Sequence, residues 1–107
     1  MYVIRRIAKT QPGAAWQVAG YLTKITQAYE GAGRNPAKVY IQGQGVPGEP
    51  NIVYAEWTQE RIEPVNMRTV PEAVRTNNAE MQKLLTEYTI EFYEMVTPEK
   101  LEVRGIS

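Results

Sequence analysis

The sequence predicts an α+β fold of βαββαβ order, a four-stranded antiparallel sheet with both helices on one face. Two observations carry this reading. A strand–helix–strand pattern occurs twice in 107 residues, first over 2–9, 14–29 and 38–42, then over 51–59, 72–96 and 101–106. In this topology the first and third strands are central, and they are the two segments with apolar residues on both faces. Such strands are covered on both sides, whereas the helices cover only one. The open sheet face therefore calls for a second copy of the chain, making a homodimer. The arrangement is ferredoxin-like, with residues 1–107 as one domain.

In the first strand Val3 and Ile7 point one way, and Tyr2, Ile4 and Ala8 the other. Arg5 and Arg6 are neighbours on opposite faces, so one of them points to the uncovered side. The first helix starts after Pro12-Gly13 and carries Ala15, Val18, Leu22, Ile25 and Tyr29 at spacings of three and four. Gly31 is placed as its left-handed stop, and Gly33 and Pro36 prevent continuation. Trp16 and Tyr21 lie off the stripe, as surface packing or as a dimer contact. The second strand leads through a Gly- and Pro-containing loop to the third, where Ile52 and Tyr54 oppose Val53, Ala55 and Trp57.

Residues 60–70 read as an irregular connection with a helical turn before Pro64. Thr69 and Glu72 fit a capping box for the second helix, with Pro71 in its first turn. That helix is expected to bury Val74, Met81, Leu85, Tyr88, Phe92 and Met95 and to show solvent an acidic face with Glu80, Glu87, Glu91 and Glu94. Asn77 and Asn78 sit beside the stripe, one of them at the helix–sheet edge. Pro98 is expected to end the helix, and 101–106 to return as the fourth strand.

Composition removes several chemistries. Twelve basic and twelve acidic residues cancel, so no cationic field points to nucleic acid. Without cysteine there is no disulfide, thiolate nucleophile or zinc–sulfur site. Without histidine there is no imidazole base or haem ligand. Catalysis would fall to carboxylates, Tyr, Arg, Lys, Asn, Ser or Thr, and neither a metal nor a cofactor is called for. No apolar run approaches the roughly 20 residues needed to span a bilayer, and no signal-peptide core precedes the first strand. The expectation is a soluble, cytoplasmic protein away from membranes.

Gly43-Gln44-Gly45-Val46-Pro47-Gly48 matches G-x-G-x-x-G, but a dinucleotide loop must open a helix. Here a strand follows, and the glycines read as hairpin residues needing positive φ. An RNA-recognition domain shares the strand order, but its third-strand motif needs a basic residue and a glycine that 51–59 lacks.

Val53-Tyr54-Ala55-Glu56-Trp57-Thr58, followed by Gln59-Glu60, resembles the end of the third strand in the dimeric α+β barrel superfamily. There an acidic residue, an aromatic and a Ser or Thr precede a short helical segment. The superfamily includes antibiotic-biosynthesis-type monooxygenases, EthD-like and NIPSNAP-like proteins. Pro12-Gly13 and the Gly-containing loop before the third strand are similar too. The resemblance implies a homodimer whose sheets pack face to face, with a cavity between each sheet and its helices. In the cofactor-free monooxygenases of this superfamily, the aromatic matching Trp57 lines that cavity and polycyclic phenols are oxidised without metal or flavin. The asparagine those enzymes use on this strand falls at Val53 here, and their histidine is absent.

The polar candidates for such a pocket are Arg6, Tyr40, Tyr54, Glu56, Trp57 and Asn78. A Tyr–Arg or Tyr–Glu pair can orient a phenol or carboxylate and move a proton. Trp57 is equally readable as a core aromatic with a satisfied polar tip, and for the others, Tyr54 among them, the structural role is the favoured reading. Loop length does not fix the register of the second and third strands, so which candidates share a face stays open. The favoured function is binding of a small apolar or aromatic molecule by a non-catalytic or accessory homodimer. The alternatives are a cofactor-independent monooxygenase or isomerase acting on an aromatic, polyketide-like substrate, and a structural dimer with a filled interior.

Overall fold

The computed structural model describes residues 1–62 and 70–106. The chain runs β1 (Tyr2–Thr10), α1 (Ala15–Gly31), β2 (Lys38–Gln42), β3 (Ile52–Gln59), α2 (Glu72–Gln82), β4 (Leu85–Glu94) and α3 (Pro98–Val103). The strands form one four-stranded sheet in the order β2-β3-β1-β4, every neighbour antiparallel. β1 and β3 are thus central, as their two-sided apolar pattern predicts. Among the described residues no helix is long and apolar enough to cross a membrane.

The second half is built differently from the sequence reading. The helix expected over 72–96 stops at Gln82, and β4 occupies Leu85–Glu94. Leu85, Tyr88 and Phe92 therefore lie on a strand rather than on a helical stripe. Glu87, Glu91 and Glu94 are also strand residues; Glu87 pairs with Lys9 at 3.1 Å. The segment 101–106, expected as the fourth strand, holds the second half of α3 and its end. Pro98 starts this helix instead of ending one: Thr97 is the N-cap and its hydroxyl accepts from the Lys100 N–H at 3.3 Å. Gly105, at φ +73, closes α3, with Ile106 N–H donating to Leu101 O and Gly105 N–H to Glu102 O.

The helix ends also correct two expectations. Gly31 is the last residue of α1, and the left-handed position is Gly33, at φ +107. Gly33 N–H donates to Glu30 O and Arg34 N–H to Tyr29 O, the paired bonds of a Schellman stop. At α2 the N-cap is Pro71, without a side-chain cap bond. Thr69 of the expected capping box and the turn expected before Pro64 lie outside the described residues.

Register assigns the faces. Ile4, Arg6 and Ala8 of β1 lie beside Trp57, Ala55 and Val53 of β3 and beside Phe92, Ile90 and Tyr88 of β4. Onto this face α1 lowers Ala15, Val18, Leu22 and Ile25, and Val74 and Met81 of α2 complete the core. Tyr21 packs on its edge, while Trp16 stays exposed. The opposite face, without a helix, carries Val3, Arg5 and Ile7 with Tyr54 and Glu56, and Thr89, Glu91 and Tyr93 of β4. It is a mixed surface rather than a continuous apolar one.

The G-x-G-x-x-G segment opens no helix; Gly43, Gly45 and Gly48 have φ of +71, +93 and +134 in the β2–β3 loop. A Cβ on Gly43 would lie 2.6 Å from the Glu49 carbonyl oxygen, whereas one on Gly45 would meet open space. Gly45→Ala should cost about 1–2 kcal/mol, the strain of a left-handed L-residue. Gly43→Ala adds a backbone clash and should cost clearly more. Urea denaturation of the two variants checks the order.

Candidate functional site

Between the sheet and its helices lies a cavity of about 390 Å³. Its floor is the helix-side face of the three strands just described. Ala55, fully buried, sits between Arg6 on one neighbouring strand and Val39 on the other. Its small side chain leaves room beside the Arg6 stem where a larger residue would fill the sheet. Leu22 and Ile25 of α1 and Val74 of α2 form the apolar roof, and Arg75 and Asn78 come from α2.

One wall is a stack built by the end of α1. The Schellman stop turns the chain back so that Arg34 returns beside Tyr29, the residue that receives its N–H. The Arg34 guanidinium carbon lies 3.8 Å from the Tyr29 ring centroid and 4.4 Å from that of Trp57. Here a cation on aromatic faces takes the place of the apolar contact that usually accompanies such a stop. Across the cavity, the Arg6 guanidinium sits over the Tyr88 ring at 4.8 Å. Burial pushes the Tyr88 phenol above its ordinary value, and the nearby Arg6 charge partly opposes this.

Of the six residues singled out from the sequence, Arg6, Trp57 and Asn78 line this cavity. Trp57 is both wall and core: it is 5% exposed, and its indole N–H donates to Gln59 Oε1 at 2.6 Å. Asn78 Oδ1 accepts from Gln82 Nε2 at 3.3 Å on the same helix. Asn77 instead donates to Ala73 O.

Tyr40, Tyr54 and Glu56 lie on the other face of the sheet, around a shallow hollow with Arg5 and Gln42. Glu56 Oε2 accepts from both Nε and Nη2 of Arg5, at 3.1 and 2.8 Å. The Tyr54 hydroxyl donates to Gln42 Oε1 at 2.7 Å, and Arg5 also lies over the Tyr54 and Tyr93 rings. Tyr93 bonds to Glu91. The sheet therefore divides the candidates, and neither Tyr54 nor Glu56 can act with Arg6. The Tyr–Arg pair of the cavity is Tyr88 with Arg6. Sequence reasoning missed Tyr88, Arg34, Tyr29 and Arg75. Tyr88 reads on a helical stripe, and Arg34 falls in an unassigned loop after Gly31, which the sequence reading takes as the helix stop in place of Gly33.

The Tyr88 phenol fixes a sign for alkaline stability. Its folded pKa is raised, so the neutral ring is favoured in the fold. Above the unfolded tyrosine value of about 10, the unfolded chain gives up its proton first. Stability is then lost as pH rises through the folded pKa. Tyr88→Phe should reduce the fall in stability above about pH 10, measured by urea denaturation across pH 8–11.

No protein-family model matches the chain, and no curated protein does. Solved structures do match. A crystal structure of an antibiotic biosynthesis monooxygenase aligns with a TM-score of 0.69 at 8% identity, covering 91% of this chain and all of that one. A NIPSNAP family protein from Agrobacterium tumefaciens aligns at 0.63 with 11% identity, over 91% of this chain and 93% of that one. An uncharacterized NIPSNAP domain protein from Burkholderia xenovorans aligns at 0.63 with 14% identity, over 92% and 97% respectively. At these identities the likeness is one of fold: the chain has the ferredoxin-like α+β fold seen in these antibiotic biosynthesis monooxygenase and NIPSNAP structures.

Proposed function

We propose that the chain binds a small, largely apolar planar molecule in the helix-side cavity, as a binding or accessory protein rather than a catalyst. The observation that carries this is a cavity of about 390 Å³ in which Leu22, Ile25, Val74 and the Trp57 indole meet the polar groups of Arg6, Asn78 and Tyr88. That size lies within the usual range for small-molecule sites, and it favours binding over a filled interior. The solved neighbours include an antibiotic biosynthesis monooxygenase, so catalysis is the competing reading. Abstracting a proton requires a base near neutral pKa. Among the described residues the lining holds no carboxylate, and the whole chain holds no histidine or cysteine. Tyr88, held neutral, is a hydrogen-bond donor rather than a base. The carboxylate among the sequence candidates, Glu56, is bound to Arg5 behind the sheet.

We further infer that a second copy covers the open sheet face, where Val3, Ile7 and Tyr54 surround the Arg5–Glu56 pair. Ile7→Glu should give a folded monomer by native mass spectrometry, where the wild-type chain gives twice 12.1 kDa. A wild-type monomer at micromolar concentration would exclude the interface.

The cavity is tested by fluorescence in a Trp16→Phe background, since Trp16 is 67% exposed and would mask Trp57. Planar aromatic compounds should quench or shift Trp57 emission saturably. Val74→Phe, which fills the roof without adding a second tryptophan, should abolish the response without unfolding the protein. A varied panel that leaves the emission unchanged would overturn the binding reading.

A further inference from the structure

We infer that the ligand of this cavity is an aromatic carboxylate, with Arg6 receiving its anionic end. The inference rests on the binding reading above and adds the chemistry of the ligand.

The first ground is charge. Arg6 and Arg75 both line the cavity, while among the described residues no aspartate or glutamate does. In a chain with twelve basic and twelve acidic residues, such a local imbalance is not inherited from composition. The surrounding low-polarity walls strengthen the attraction of these guanidiniums for an anion.

The second ground is the contrast between two adjacent arginines. Arg5 directs two N–H bonds to Glu56. Arg6, one residue on, is only half exposed to solvent at most, yet its guanidinium makes no ion pair or hydrogen bond with any described residue. Its contact is the face of Tyr88. Stacking on a ring engages the flat side of the guanidinium and leaves its N–H edge available. A planar carboxylate matches that edge with two parallel bonds.

The third ground is what surrounds that edge. Ala55 and Ile90 flank Arg6 on the neighbouring strands, so space and apolar surface lie immediately beside it. The Trp57 indole and the Leu22 and Ile25 side chains supply surface for a flat hydrocarbon body. Arg75, exposed on α2, stands at the rim. A ligand with a carboxylate at one end and an aromatic body at the other meets both requirements. A polyanion would leave the apolar walls unused, and a neutral hydrocarbon would leave Arg6 without an anion.

The test compares 2-naphthoate with 2-naphthamide, which share a skeleton and differ in charge, by isothermal titration at pH 7 and low salt. The carboxylate is ionised there, well above the usual carboxylate pKa of about 4. The wild-type protein should bind naphthoate at least about tenfold tighter than the amide, the effect of replacing a neutral hydrogen bond by a charge-assisted pair. Arg6→Gln should bring the two affinities together by weakening naphthoate alone. Should Arg6→Gln fail to fold, Arg6→Lys replaces it, keeping the charge but not the fork; it should narrow the preference. Binding of the amide as tightly as naphthoate by the wild type overturns the assignment and leaves the binding reading standing. A preference that survives Arg6→Gln or Arg6→Lys unchanged overturns the role of Arg6. Failure of both probes, and of the aromatic panel above, removes the cavity reading and this inference with it.

Discussion

β1 is hydrogen-bonded along both edges, to β3 and to β4, and its register determines what each face of the sheet can do. Side chains alternate with a period of two, so the consecutive arginines at positions 5 and 6 must part. Arg5 meets Glu56 on the open face, and Arg6 enters the cavity beneath the helices. A slip of one residue would exchange them and part Arg5 from Glu56, which would stay on the open face. That slip is blocked by the same alternation, because it would also expose Ile4 and Ala8, which are 1% and 0% accessible. The burial of these two side chains and the placement of both charges are one constraint.

The first half of the fold is legible because its signals agree. In β1 and β3, β-branched and aromatic residues coincide with two-sided apolarity, and in α1 the three–four stripe ends against glycines. The second half sends two signals at once. Leu85, Tyr88, Phe92 and Met95 keep helical spacing with Val74 and Met81, so the stripe continues on paper past Gln82. The same segment alternates Tyr88, Ile90 and Phe92 against Thr89, Glu91 and Tyr93, a two-residue period in residues that favour strands. Strand pairing decides between them: β4 fills the free edge of β1 and satisfies a row of backbone groups that a longer helix would leave open. With the strand placed there, Pro98 is free to open α3 behind the Thr97 cap.

The site is less legible than the fold because it depends on parity and on one turn. Arg6, Trp57 and Asn78 could be singled out as polar or aromatic groups near an expected pocket. Their separation from Tyr54 and Glu56 follows from parity along β3 and the β1–β3 register, and that from Tyr40 required the β2–β3 register, in which Tyr40 stands opposite Tyr54. Arg34 required knowing which of two glycines takes the left-handed conformation. Gly33 does, and the resulting stop carries Arg34 back onto Tyr29. Had Gly31 been the stop, Arg34 would lie two residues further along the exit and the stack with Trp57 would have no geometric cause. A local backbone choice thus furnishes one wall of the cavity.

The two faces of the sheet differ in how they satisfy charge, and this difference separates assembly from ligand recognition. On the open face Arg5 pairs with Glu56 and Lys9 with Glu87, and the Tyr54 hydroxyl bonds to Gln42. Such a surface can be covered by another without stranding an ion, since partnered charges are the ones tolerated on burial. Exposed pairs of this kind contribute little stability by themselves, about 0–1 kcal/mol. Their value lies in being neutral as a unit. The cavity face follows the opposite rule. Arg6 is held by a ring rather than by an anion of any described residue. Aromatic faces fix a guanidinium in place while leaving its positive field largely uncancelled. β1 is the element that holds both arrangements a single residue apart.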